Sequence, residues 1–343
     1  MNHCVQITPE MTRAQWLDIR RKGIGGSDVA AIIGANPYKT PLDIFNDKLN
    51  LGENEDTQSR YAYWGTKLED VVASEFAEKT GLKIQRVNYV LSNQDSPWMM
   101  ANLDRAVVNP DIAKRVAINK PEKVKETGLL LSTDIGLECK TASVYNSDDW
   151  GPSQLDEILA GDVFSDHKIP LYYETQVQWY MAVTGMKTFY LAVLLGGNDF
   201  RVYQIHRDDE LISALVSMCK DFWENHVMKS VPPEPVNAED VKKLFAKDDG
   251  DMIEANNEDS ILVGELRNIN AELKKLKAAE DELKEKLITR IGPHQGITID
   301  GKKVVSFKSQ TARRFSSTEF KKDYPDLYEH YTLEATTRVF RIH

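Results

Sequence analysis

An apolar run that ends in Leu137-Glu138-Cys139-Lys140 constrains this chain most, because it reads as a strand finishing on a carboxylate and a lysine. Side chains along a strand alternate between faces, so Glu138 and Lys140 share one face. There a carboxylate suited to a hard divalent cation stands beside an ammonium able to orient or deprotonate a water. That is the chemistry of metal-dependent phosphodiester cleavage. A solvated charge pair has the same pattern, as Glu272-Leu273-Lys274 and Glu282-Leu283-Lys284 show on a helix-patterned segment. The surroundings of Glu138 must decide.

At 343 residues the chain is long enough for about two domains. No apolar stretch approaches the ~20 residues of a membrane span. The first residues, Met1 to Trp16, lack the basic-then-apolar pattern of a leader. Cys4, Cys139 and Cys219 are too few and too scattered for a disulfide framework or a metal–sulfur set, so a soluble cytoplasmic protein is expected. Net charge is −10, which excludes a protein that simply coats nucleic acid but not an enzyme with a locally basic channel. Residues 291–343 carry nine Lys/Arg against six acids, so a tail of +3 follows a body of −13.

Val231-Pro232-Pro233-Glu234-Pro235 is stiff and helix-breaking, and marks the end of a core at 1–232. An acidic, Asn-rich linker is expected over 233–261 and an amphipathic helix over 262–291. That helix carries Leu262, Leu266, Ile269, Leu273, Leu276, Leu283 and Leu287 at alternating spacing of four and three. A helical hairpin, packing on the core and a coiled coil all suit this stripe. The basic tail, 292–343, contains a hairpin pattern with Asp300-Gly301 at its turn. Within the core, helices are expected at Ser27–Ile33, Lys67–Glu78 and Tyr172–Val183. Strands are expected at Ile84–Leu91, Arg105–Val108, Gly128–Thr141, Thr188–Leu195 and Phe200–His206. A central β-sheet flanked by helices, an α/β fold, follows.

Asp104 precedes one strand and Glu138 ends the next long one; if these strands pair, their carboxylates and a backbone carbonyl form an oxygen cage suited to Mg²⁺. Glu69, on the helix after Trp64-Gly65, offers a third acid. Asp104 alone also reads as a turn cap, and Glu69 as an exposed helix acid. Asp134, four residues before Glu138, competes with Asp104. Gly23-Ile24-Gly25-Gly26-Ser27-Asp28 leads into a helix whose start offers free N–H groups to an anion, with Arg20 as a bidentate phosphate partner. A plain helix capped by Ser27 reads equally well. The basic stretch around 109–127 (Lys114, Arg115, Lys120, Lys123, Lys125) suits a DNA-facing or a solvated loop.

The ordered set Trp16-Leu17, Arg20, Gly23 to Asp28, Trp64-Gly65 with Glu69, Asp104, Glu138-Cys139-Lys140 and Gln176 to Gly185 resembles the YqaJ-type viral recombinase family. This is the lambda-exonuclease-like branch of the PD-(D/E)xK nucleases, and the likeness runs over about residues 12–230. It implies a mixed central sheet, the core of that nuclease fold, to which the helix and hairpin read above form a C-terminal extension. It also implies Asp104, Glu138, the Cys139 carbonyl and Glu69 around Mg²⁺ (Mn²⁺ as substitute), with Lys140 on the attacking water. Gln176 would line the site, Arg20 and Ser27 would grip a 5′-terminal phosphate, and the Cys139 side chain would be a spectator. The implied activity is 5′→3′ exonuclease action on duplex DNA ends, leaving 3′ overhangs for recombination by annealing. The implied partners are further copies in a ring and a single-strand annealing protein, in a bacterial host's cytoplasm if phage-encoded, with no membrane. The chain departs from the family's usual first motif, reading Asn102-Leu103-Asp104-Arg105. A structure- or site-specific endonuclease and a catalytically silent DNA-binding phage protein are the rival readings.

Overall fold

The computed structural model describes residues 4–8, 10–51, 60–162, 167–333 and 338–342. The chain groups into two compact units, residues 1–240 and 241–343. In chain order the first contains β1 (Cys4–Gln6), α1 (Arg13–Arg20), α2 (Gly26–Ile32), α3 (Pro41–Leu49), α4 (Arg60–Thr80), β2 (Ile84–Arg86), β3 (Tyr89–Ser92) and β4 (Met100–Ala101). It continues with β5 (Arg105–Val107), α5 (Pro121–Thr127), β6 (Ile135–Ala142), α6 (Leu155–Ala160), α7 (Leu171–Thr184), β7 (Thr188–Leu195), β8 (Asp199–His206) and α8 (Asp209–Phe222). Short α9 (Ala238–Leu244) lies in the stretch expected as a linker; its Asp240 is buried and accepts the Thr40 hydroxyl at 2.9 Å.

Five strands form the central sheet in the order β2-β5-β6-β7-β8. Only β6 and β7 run parallel, so the sheet is mixed. A parallel pair needs a long crossover, and here it carries α6 and α7. Strand alternation then sorts the two faces. Leu137 and Cys139 of β6 join Tyr190 and Ala192 of β7 and Val72, Ala73 and Phe76 of α4 in one apolar cluster. Glu138 and Lys140 therefore point to the opposite face, the side of α7.

The expected strand at Ile84–Leu91 is two strands, because two sheets share the segment. β2 pairs with β5, while β3 lies between β1 and β4 in a separate three-stranded sheet. The expected strand at Gly128–Thr141 begins only at Ile135. Gly128 is left-handed at φ +74° and ends α5, and Leu129 to Leu131 are buried as core-filling loop. An apolar run shows burial, and periodicity alone does not separate strand from buried loop.

α7 is buried nearly all round, not amphipathic, because it packs against α2, α8 and the sheet. Its polar groups are satisfied internally. Gln178 Nε2 donates to the His206 carbonyl at 2.8 Å and its Oε1 accepts the Asp208 N–H at 3.0 Å. Trp179 Nε1 donates to the Met100 and Ile24 carbonyls at 3.0 and 3.2 Å. These bonds tie α7 to the segments that carry Gly25 and Asn102.

The second unit holds α10 (Asn257–Ile291), β9 (Gly296–Ile299), β10 (Lys302–Ser306), α11 (Ser317–Asp323) and α12 (Pro325–His330). Asn256 caps α10, with Asp259 returning the bond. Along α10, Leu262, Ile269, Leu273, Leu276, Leu283 and Leu287 are exposed. Asp300 and Gly301 both have positive φ, as a two-residue hairpin turn requires. No helix among the described residues is long and apolar enough to cross a membrane.

Gly26 sets how closely α2 can approach α7. A Cβ there would lie 2.6 Å from Tyr180 Cε1 and 3.0 Å from the Gln176 carbonyl oxygen. Gly26→Ala is expected to destabilise the protein by about 1–3 kcal/mol, the usual cost of overpacking. A lowered urea midpoint at unchanged slope would show it; an unchanged midpoint would mean that α2 moves freely.

Candidate active site

The register of β5 against β6 builds the site. Arg105 pairs with Leu137, which places Asp104, one residue before β5, opposite Glu138. Asp104 Oδ2 accepts the Cys139 N–H at 2.9 Å. Glu138 is 3 % exposed. Its Oε1 lies 2.6 Å from Lys140 Nζ and accepts Gln176 Nε2 at 2.6 Å. The same Gln176 nitrogen donates to Tyr180 Oη at 2.8 Å. Glu138 Oε2 is buried without a hydrogen-bond partner. Lys140 Nζ also stands 5.0 Å from the centre of the Tyr173 ring.

The electrostatics are those of a site short of positive charge. Burial, then the charge of Glu138, pushes the Asp104 carboxyl well above its ordinary range. Burial likewise raises Glu138, against the pull of Lys140. Burial opposes the charge of Lys140, but Glu138, Tyr173 and Asp104 outweigh it and hold the ammonium protonated. The Cys139 thiol is driven far up by burial and then by Asp104 and Glu138, so it stays protonated and unreactive.

Glu69 does not close on this pair. It reaches from α4 into ion pairs with Arg105 at 2.7 Å and Arg86 at 3.2 Å. Arg105 is 5 % exposed in its side chain and also pairs with Asp70. Glu69 still adds negative potential at Asp104 and Glu138. Asp134 lies at the far end of β6, accepting Asn109 Nδ2 at 2.8 Å. Among the described residues no three His, Cys, Asp or Glu side chains converge as a metal cluster. Two carboxylates raised first by their burial, one with an orphaned oxygen, nonetheless fit a hard cation completed by backbone oxygen and water.

A small cavity of about 130 Å³ adjoins this centre, with Arg20 and Ser27 in one wall and Gln176 and Tyr180 in another. Arg20 Nη2 donates to Ser27 Oγ at 2.8 Å, and its guanidinium lies 4.8 Å from the Trp16 ring centre. The expected cap is displaced by two residues: Gly25 is the N-cap of α2, its N–H bonded to Asp28 Oδ2 at 2.9 Å, which leaves the Ser27 hydroxyl to Arg20. Buried Lys48 holds Asp28 at 2.6 Å and donates to the Arg20 carbonyl at 3.2 Å. Burial opposes the Asp28 charge, but Lys48 and then Arg20 keep its carboxyl below the ordinary range.

Residue reasoning missed Lys48, Arg105, Tyr173, Tyr180 and Asn102. Asn102 lines the cavity with its Oδ1 buried and unpartnered. Only a lysine inside the apolar-spaced α3 and a tyrosine four residues after Gln176 were visible as signals, and both read equally as core.

Against known proteins, the model of the YqaJ-like viral recombinase domain matches residues 15–187. The YqaJ protein of Bacillus subtilis (strain 168) is 32 % identical over 348 positions, covering 97 % of this chain and 95 % of that one. The chain belongs to the YqaJ-like viral recombinase family. Protein D345L of African swine fever virus shares 38 % identity over 64 residues, 19 % of this chain and 18 % of its own. Two solved exonucleases are similar at lower identity. The alkaline exonuclease LHK-Exo of Laribacter hongkongensis gives a TM-score of 0.43 at 16 % identity, over 68 % of this chain and 98 % of that one. A phage-related exonuclease of Haemophilus somnus gives 0.38 at 14 %, over 61 % and 96 %. The family model spans every residue of the candidate site and ends just before β7.

The strained carboxylates have a consequence for stability. A carboxyl whose folded pKa is raised binds its proton more tightly when folded. Its contribution is therefore full below the unfolded value, near 3.8 for Asp104 and 4.5 for Glu138, and is lost as pH rises through the folded value. Asp104→Asn keeps an acceptor for the Cys139 N–H and removes one charge. In EDTA it is expected to melt a few degrees above wild type near neutral pH, with the gap closing toward about pH 4. A variant no more stable than wild type at the higher pH would remove the repulsion from the account.

Proposed function

We propose that this protein is a metal-dependent deoxyribonuclease that degrades duplex DNA from its ends, 5′→3′, leaving 3′ single strands for annealing-type recombination. The observation that carries the reading is the buried juxtaposition of Asp104 and Glu138 with Lys140 on Glu138 Oε1 and nothing on Oε2. Membership of a recombinase family supports DNA as substrate, and the names of the similar exonucleases point the same way.

Asp104, Glu138 and the Cys139 carbonyl would hold Mg²⁺, or Mn²⁺ in its place, with Glu69 behind its arginines. The Cys139 N–H faces Asp104, and in a strand the carbonyl of the same residue faces the same side. A bound ion would polarise the scissile phosphate and acidify its water. Lys140, on Glu138 Oε1 and over the Tyr173 ring, would orient or activate that water and steady negative charge developing on the phosphoryl oxygens. Gln176 fixes the Glu138 carboxylate by donating to Oε1, which leaves Oε2 free to bind the ion. Arg20 and Ser27 would grip the 5′-terminal phosphate in the adjoining cavity, which is large enough for one phosphate group. Further copies of the chain in a ring and an annealing protein would complete the recombination step.

Digestion of linear against covalently closed duplex, with Mg²⁺ or EDTA, tests the reading: linear DNA should disappear only with metal, and circles should persist. Loss of the circles would make the enzyme an endonuclease. No metal-dependent loss of either would leave only DNA binding.

Glu138 and Lys140 should fail in different ways. Glu138→Ala is expected to lose both Mg²⁺ affinity and turnover, as read by calorimetric titration with bound duplex. Lys140→Ala should retain the metal and lose rate by ~10²-fold or more. Equal loss of metal affinity in the two would merge the roles.

Arg20 should confer end selectivity. A charge-assisted bond is worth roughly 1.5–3 kcal/mol, so a 5′-phosphorylated duplex should be degraded about tenfold or more faster than its 5′-hydroxyl counterpart. Arg20→Ala should collapse that ratio toward one. A wild type indifferent to the end group would reduce the glycine-rich segment to a helix start.

A further inference from the structure

The apolar stripe of α10 has no cover within its own unit. The helix runs for 35 residues, about 50 Å, and no other described element of the second unit packs along it. Leu262, Ile269, Leu273, Leu276, Leu283 and Leu287 are between 39 and 67 % exposed, and Leu266 among them is half-buried. A continuous row of exposed leucines on one side of a helix is a contact surface. Their steps of four and three place them at the two core positions, a and d, of about four heptads. Leu266, Leu273, Glu280 and Leu287 fall at a; Leu262, Ile269, Leu276 and Leu283 fall at d. That length suffices for a two-stranded coiled coil.

Charge decides which way a second strand runs. In a parallel pair like positions meet, so Glu280 would face Glu280 inside the seam. In an antiparallel pair each a position meets a d position, and Glu280 faces Ile269 of the second copy. The layers Leu266–Leu283, Leu273–Leu276 and Leu287–Leu262 are then apolar throughout. Glu280 brings its own neutralising cations, since Lys277 Nζ lies 2.7 Å from it and Lys284 also pairs with it. The positions that flank the seam on one side, g, are Glu265, Glu272, Ala279 and Lys286. Antiparallel strands set g beside g, so in this register Glu265 faces Lys286 of the second copy, twice by symmetry. In a parallel pair Glu265 would face Asn270 and Lys286 would face Ile291, neither of them charged. Antiparallel strands also bring Arg290 to the first turn of the second copy, with its Glu258 and Asp259, and lay opposite helix dipoles side by side.

We propose that α10 pairs with α10 of a second copy of this chain as an antiparallel two-stranded coiled coil. Glu280 fixes its direction, and Glu265 with Lys286 fixes its register. The contact is isologous, the same surface on both copies, and is therefore distinct from the head-to-tail contacts that close a ring. It stands or falls independently of the nuclease reading.

Sedimentation equilibrium of the full-length protein over a dilution series reads the mass of the assembly. All six tryptophans lie in the first unit, so a fluorescence melting curve checks that each variant keeps that unit folded. Leu273→Asp sets a carboxylate against Leu276 in both central layers and is expected to lower the mass at least twofold. Glu265→Lys alone and Lys286→Glu alone each turn two attractive pairs into two repulsive ones. Each should raise the dissociation constant about tenfold or more. An equimolar mixture of these two variants restores opposite charges on both flanks and should recover wild-type affinity, as should Glu265→Lys combined with Lys286→Glu. A mass that Leu273→Asp leaves unchanged would overturn the pairing. A mass that falls with Leu273→Asp but ignores both charge swaps would overturn the antiparallel direction, because a parallel pair gives Glu265 and Lys286 no charged partner.

Discussion

The pairing of β5 with β6 in a single register is the constraint on which the candidate site depends. Arg105 opposite Leu137 puts Asp104 opposite Glu138, and a slip of one residue would send Glu138 and Lys140 into the apolar layer under α4. That layer of Val72, Ala73, Phe76, Leu137 and Tyr190 has no place for charge. Hydrophobic packing on one face of the sheet thus enforces the position of the carboxylates on the other. The cost of two desolvated acids is met by strand packing, since the one ammonium of Lys140 acts on both and outweighs burial at neither.

α7 carries the consequences outward. A helix buried on every side has to satisfy its own polar groups, and the partners it uses are informative. Gln176 reaches Glu138, Trp179 bonds the carbonyls of Ile24 and Met100, and Tyr173 faces Lys140. One rigid element therefore sets the spacing between the carboxylates, the glycine-rich segment and the cavity that joins them. Pre-organisation of this kind is what positioning a substrate phosphate requires.

Much of this was legible in the sequence where local rules suffice. The helices α2, α4, α7 and α10, the strands β7 and β8 and the turn at Asp300-Gly301 follow from periodicity and turn chemistry. The triplet Glu138-Cys139-Lys140 follows from strand alternation. The break at Val87-Asn88 was not legible, because it reflects two sheets competing for one apolar segment. Gly128 as the end of α5 was hidden inside an apolar run that periodicity cannot divide. The ion pairs of Glu69 with Arg86 and Arg105 join residues 17 and 36 positions apart, and no local pattern announces them. Lys48 looked like an ordinary helix lysine because only the tertiary fold buries it.

Two buried acid clusters lie near one another, and the difference between them is the strongest physical argument about what each does. Asp28 is surrounded by Lys48, Arg20 and the Gly25 N–H, and its charge is favoured despite burial. Breaking such a pair strands a charge, so Lys48 and Asp28 belong to the scaffold that presents Arg20 and Ser27. Asp104 and Glu138 share one ammonium, leave one carboxylate oxygen without a partner, and are both driven toward their protonated forms. A fold gains nothing in stability from that second arrangement, since an uncharged pair of similar shape would serve it better. Perturbed carboxylates kept short of positive charge in a concave site have a use when a cation or a phosphate arrives to complete them. The first cluster is complete as it stands; the second becomes complete only with its ligand.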